Sequence, residues 1–216
     1  ANLNAQVSGD NAFMIGDYIE IGIFEAGYEG APLDSTISTH YRGTTNKLGF
    51  IANPAADGWV EYNGDFYQPG SPESGFGIGF TKSGVDYDYA NNAVGLFEIP
   101  GEITSYYETV DSIIVVWQGM PVGDSILVML TYTLKKDQHF YRTFIEFDNI
   151  GSETYTDVYY YRNIDPDHNQ SIGWSFTTTN TIESQSEMAD DSVIVSATQT
   201  MGWTAEMILE AYGPEW

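Results

Sequence analysis

A chain of 216 residues, 42% hydrophobic and 15% aromatic, has the apolar mass to fold around a packed core and does not read as disordered. Seven Lys+Arg against 31 Asp+Glu give a formal net charge of −24, which repels phosphate backbones and anionic membrane surfaces and attracts cations. Cysteine is absent, so disulfides, thiolate zinc sites and thiol catalysis fall away together. The expectation is no nucleic acid partner and no membrane insertion, since apolar runs such as SIIVVW and SILVML are only strand-sized. The opening ANLNAQ has small residues of the kind found near a signal-peptidase cut, which reads as a processed, exported chain.

Along the chain, Tyr18 to Ile23 alternate, placing Ile19, Ile21 and Ile23 on one face of a strand and Glu20 and Gly22 on the other. GYEGAPLDST is a loop by its punctuation. Residues 46–80 read as short strands separated by turns, with the Asn63-Gly64 pair of YNGDFY as the best hairpin signal. DSIIVVWQG is a buried strand. SILVMLTYTL places Ile126, Val128, Leu130, Tyr132 and Leu134 on one face and Leu127, Met129, Thr131 and Thr133 on the other. Both faces are largely apolar, which predicts a central strand covered on both sides. After the turn KKDQ comes HFYRTFIEFDNIG, with Tyr141, Thr143, Ile145 and Phe147 inward and Arg142 and Glu146 outward. GSETYTD is the next turn and VYYYRNI the next strand. Two more strands flank an acidic turn at Asp190 and Asp191. TAEMILEAYG has some helix character, with Thr204 as N-cap and Gly213 as stop, but strand is the preferred reading. No repeat and no long linker interrupts the chain, so residues 1–216 are expected to form a single domain, an all-β, large antiparallel β-sandwich with Gly-rich loops.

Certain stretches also carry a resemblance. NAFMIGDYIEIGIFEAGYEGAP, together with LGFIANPAADGWVEYNGDFYQPGSPESGFGI, resembles the start of large surface proteins exported by Bacteroidota through the type IX secretion route. LTYTLKKDQHFYRTFIEFDNIGSETYTDVYYYRNIDPD resembles the long antiparallel strands of supersandwich domains, the galactose-mutarotase-like superfold. In those domains a strand ending in Asn-x-Gly-Ser is followed by a TDVYYxRNxDPD strand. The resemblance implies a supersandwich-like fold, a secreted or cell-surface location, and a longer parent polypeptide of which this chain is the N-terminal part. That superfold hosts both mutarotases and non-catalytic domains, so it leaves the activity open.

Asp165, Asp167 and Asn169 alternate in NIDPDHNQ and offer three oxygen ligands of the kind calcium takes. The glycine and the bidentate glutamate of an EF-hand are replaced by Gln170 and Phe176, and Pro166 ends the strand, so a hydrogen-bonded turn is preferred over a calcium site. Arg162 shares parity with Val158 and Tyr160, which puts it on the inward face and demands a carboxylate partner. Trp59 and Tyr62, with Phe66 and Tyr67 nearby, border the hairpin and are the candidate sugar-binding aromatics. Of the imidazoles, His139 belongs to an exposed turn, and neither His40 nor His168 falls in a catalytic motif. The expected function is a non-catalytic cell-surface module for adhesion or surface assembly, with other surface proteins, glycans or the export apparatus as partners. The alternative is a carbohydrate-active enzyme or a glycan-binding accessory domain.

Overall fold

The computed structural model describes residues 5–32, 46–52, 65, 67, 74–164, 178–185, 192–199 and 207–212, and all regular structure among them is β-strand. The first eight strands are β1 (Ala5–Ser8), β2 (Asn11–Ile15), β3 (Ile19–Ile23), β4 (Ala31–Pro32), β5 (Lys47–Leu48), β6 (Phe50–Ala52), β7 (Ser74–Lys82) and β8 (Val85–Asn92). The rest are β9 (Gly101–Glu108), β10 (Ser112–Gly119), β11 (Ile126–Lys135), β12 (Tyr141–Asn149), β13 (Tyr155–Ile164), β14 (Thr178–Gln185), β15 (Ser192–Gln199) and β16 (Met207–Tyr212). Every pairing is antiparallel, in sheets ordered β1-β2-β3-β6, β12-β11-β10-β9, β13-β7-β8 and β14-β15-β16, with a β4-β5 ribbon.

The core is that of a β-sandwich. Period-two alternation makes β10 and β11 strands and buries Ile113, Val115, Trp117, Val128, Leu130, Tyr132 and Leu134 on one face. Two sheets pack on that face and share one apolar cluster with it, through Met14, Ile19, Ile21 and Ile23 on one side and Phe76, Ile78 and Phe80 on the other. The Phe76 ring meets the Trp117 indole edge-on at 5.4 Å. Trp117 in turn donates to Glu25 O (2.8 Å), and Gly27 is obligatory beneath it: its φ is +83°, and a Cβ there would stand 2.6 Å from the indole.

One expectation needs correction. The second face of β11, with Leu127, Met129, Thr131 and Thr133, is half-exposed and has no second covering layer among the described residues. Its sheet is an outer layer, and the neighbouring Phe144 is 63% exposed on the same side. Strand β3, by contrast, is buried on both faces, Glu20 included. The β4-β5 ribbon closes over its second face, where Phe13, Ala31 and Leu48 form a small cluster. A Cβ on Gly22 would lie 2.4 Å from Leu48 O, so the ribbon's close approach requires glycine. The ambiguous C-terminal segment is strand β16, as preferred.

Candidate functional site

The richest chemistry lies on the two faces of β13. Its register against β7 slips between Thr156 and Tyr159, a bulge in which Asp157 takes φ +52°. The extra residue resets the alternation, so that Val158, Tyr160, Arg162 and Ile164 point inward and Tyr159, Tyr161 and Asn163 outward.

Inward, Arg162 meets Glu29 in an ion pair whose side chains are 9% and 0% exposed. Glu29 follows β3 in a tight loop and also accepts Tyr141 OH (2.6 Å) and Ser74 Oγ (2.8 Å). The guanidinium reaches Tyr160 OH at 3.3 Å and Tyr132 OH at 3.4 Å, while Tyr132 OH donates to Gly27 O at 2.7 Å. Tyr141 OH lies 3.1 Å from Tyr67 OH, which extends the network to Asp65. That buried carboxylate collects the backbone N–H groups of Gly49, Phe50 and Tyr67. Burial lowers Arg162 to about 10, which leaves it charged at neutral pH. The same desolvation pushes Tyr67 up to about 12 and holds Tyr132, Tyr141 and Tyr160 well above the ordinary phenol range. Enclosed on every side, this cluster positions strands and is not open to a ligand.

Outward, β13, β7 and β8 build a continuous face. The rows across the sheet are Tyr159–Gly79–Asp88, Tyr161–Gly77–Ala90 and Asn163–Gly75–Asn92. Alternate glycines in SGFGIGF leave the middle strand without side chains on this face, and the β13 side chains fold over the gap. A Cβ on Gly77 or Gly79 would lie 2.1 Å from the ring of Tyr161 or Tyr159, so both rings rest directly on the β7 backbone. Their centroids are 6.4 Å apart, and they remain 48% (Tyr159) and 40% (Tyr161) exposed. Tyr159 OH crosses the strand to donate to Asp88 Oδ1 (2.7 Å), and that bond is the main cause raising its pKa. Two adjacent π-faces open to solvent, with a carboxylate and amides along the border, present an apolar surface rimmed by hydrogen-bonding groups.

The aromatics expected to contact sugar, Trp59 and Tyr62, and the expected calcium ligands Asp165, Asp167 and Asn169 lie outside the described residues, as do His40 and His168. No group of three or more metal-ligating side chains occurs among the described residues. His139 is exposed, as expected, and stacks on Tyr18 at 4.1 Å. The parity argument for Arg162 holds, and its carboxylate partner is Glu29. The tyrosine face escaped the sequence reading, although Gly75, Gly77 and Gly79 alternate in phase with one another. A shallow pocket of about 240 Å³ beside β9 is lined by Asp10 and Glu102 and lies apart from both faces of β13. No protein-family model, curated protein or solved structure matches this chain.

Proposed function

We propose that this chain is a non-catalytic, carbohydrate-binding module of a secreted or cell-surface protein, serving adhesion through the Tyr159–Tyr161 face. The observation that carries this reading is the seating of two half-exposed rings directly over a glycine strand. Rings so placed offer exposed aromatic surface to the C–H face of a sugar, and the shape is set before binding, so little ordering entropy opposes association. Asp88 and Asn163 stand where sugar hydroxyls can exchange hydrogen bonds with them. The acidic surface selects among saccharides: Asp86, Asp88 and a net charge of −24 disfavour uronate and sulfated chains, so the ligand class is neutral. An open face with no enclosing cleft suits retention of a polymer better than turnover. The cell-surface location rests on the resemblance of residues 130–167 to the strands of supersandwich domains.

Isothermal titration against a panel of neutral poly- and oligosaccharides tests the reading. Saturable binding is expected, weakened roughly tenfold or more, equivalent to ~1.4 kcal/mol, in Tyr161→Ala. Binding to none of the panel, or undiminished binding in a folded Tyr159→Ala, Tyr161→Ala double variant, would sink it.

A further inference from the structure

A second charged cluster sits at the rim of the sandwich. Lys82 ends β7, Asp124 lies in the turn between β10 and β11, and Glu153 lies in the turn between β12 and β13. Lys82 Nζ contacts Asp124 Oδ1 directly and is 3.3 Å from Glu153 Oε2. The other oxygen of Asp124 accepts Tyr89 OH at 2.8 Å. The Asp124 side chain is 2% exposed and that of Lys82 16%, whereas Glu153 is 56% exposed and reaches water. The Tyr87 ring lies 5.3 Å from Nζ and screens the amine.

We propose that Lys82 and Asp124 become joined by an intramolecular isopeptide bond, made by the folded chain itself with Glu153 as proton carrier. Lys82 at the end of β7 and Asp124 in the β10–β11 turn are already in contact, which replaces an encounter in solution by a local rearrangement. The ground state is the ion pair, because hydrogen bonding to Asp124 holds the lysine ammonium protonated. The reactive form is the neutral amine–acid pair, reached by one proton transfer within the cluster. Glu153 removes a proton from the ammonium and returns it to Asp124 Oδ1. The Nζ lone pair then attacks Cγ, and negative charge develops on Oδ2, where Tyr89 OH already donates. A second proton passes from nitrogen to Oδ1, the Cγ–Oδ1 bond breaks, and one water leaves. One ammonium and one carboxylate thus give one amide and one water, with no change in net charge and no outside reagent.

Among the described residues, the other charged pairs lack these parts. Lys136 meets Glu108 and donates to the carbonyls of Thr109 and Val110, but the Glu108 side chain is 27% exposed against 2% for Asp124. Arg162 is enclosed with Glu29, but a guanidinium is delocalised and remains charged. The Lys82–Asp124 amide would tie the β13-β7-β8 sheet to the opposite layer, in a chain with no cysteine for a disulfide.

Intact mass measured on the denatured full chain decides the matter. The expected result is a species lighter by one water, with proteolysis yielding a branched peptide that joins Lys82 to Asp124. Lys82→Arg keeps the cation and should restore the full mass, while Glu153→Gln should slow bond formation roughly 100-fold or more. Full mass in the unaltered chain after long incubation at neutral pH overturns the proposal. So does a loss of water that persists in Lys82→Arg, which would identify an aspartimide. A Glu153→Gln variant that crosslinks at the original rate removes Glu153 from the mechanism.

Discussion

The two ion pairs made by the β13-β7-β8 sheet share their charges and differ in their enclosure. Arg162 and Glu29 are shut inside, with Tyr132, Tyr141, Tyr160 and Ser74 supplying further hydrogen bonds, though Arg162 Nε is buried without a partner among the described residues. Lys82 and Asp124 sit at the edge, where a second, solvated carboxylate touches the amine. The inner pair uses a planar, permanently charged fork that fixes geometry, and the outer pair uses an amine that becomes a nucleophile once it loses a proton. Enclosure among several hydrogen-bonding side chains gives a fixed joint. Partial enclosure beside a proton acceptor gives a group able to react.

The comparison breaks most sharply at Arg162. Replacing it by methionine leaves Glu29 buried beside an apolar side chain, at an expected cost of about 3–5 kcal/mol. Urea denaturation of Arg162→Met measures this, and a cost below about 1 kcal/mol would show that water reaches Glu29. The double variant Glu29→Met, Arg162→Met should recover most of the loss, because apolar replacement of a whole buried pair is often neutral.

The tyrosines around the inner pair add a pH window. Tyr67 has its pKa raised to about 12 in the folded chain, chiefly by burial, with Asp65 contributing in the same direction. Its unfolded value is about 10, so between those limits the unfolded chain has lost a proton that the folded chain keeps. The stabilisation is complete below about pH 10 and declines as pH climbs toward about 12, by about 2–3 kcal/mol for this one group. Denaturation midpoints followed through that range should fall steeply for the unaltered chain and less steeply for Tyr67→Phe. Parallel curves would remove Tyr67 as a contributor.

On the outer face, Gly77→Ala sets a methyl 2.1 Å from the Tyr161 ring, against backbone that cannot retreat. The ring must lift, with an expected cost of about 1–3 kcal/mol and weaker saccharide binding. Gly84→Ala is a comparison for the backbone effect alone, since its φ is +76° and a Cβ there meets nothing within 4 Å.

What the sequence disclosed and what it hid divide along local and distant information. Alternation in SILVMLTYTL and VYYYRNI was sufficient to orient Tyr132, Leu134 and Arg162, because side-chain period is a property of one strand. Glu29 was not legible as the partner of Arg162, since a distant glycine-rich loop delivers it to β13. The glycine–tyrosine face was hidden for the same reason: each half was visible in its own strand, but the β7–β13 pairing joins segments separated by more than seventy residues. The outer face of β11 misled because Leu127 and Met129 look like core residues, while only the layers decide which apolar face is covered.

The smallest expected effect separates the ring from its hydroxyl. Tyr159→Phe removes the bond to Asp88 but keeps the aromatic face on Gly79. The bond is solvent-exposed, so water can satisfy Asp88 in the variant and the denaturation midpoint should stay within experimental scatter. Saccharide affinity should also persist if the π-face is the contact, because the ring's seat is set by the missing Cβ beneath it. Titration that found binding abolished in Tyr159→Phe, with the fold intact, would transfer recognition from the ring to the hydroxyl–Asp88 pair. The glycines would then serve the sheet alone.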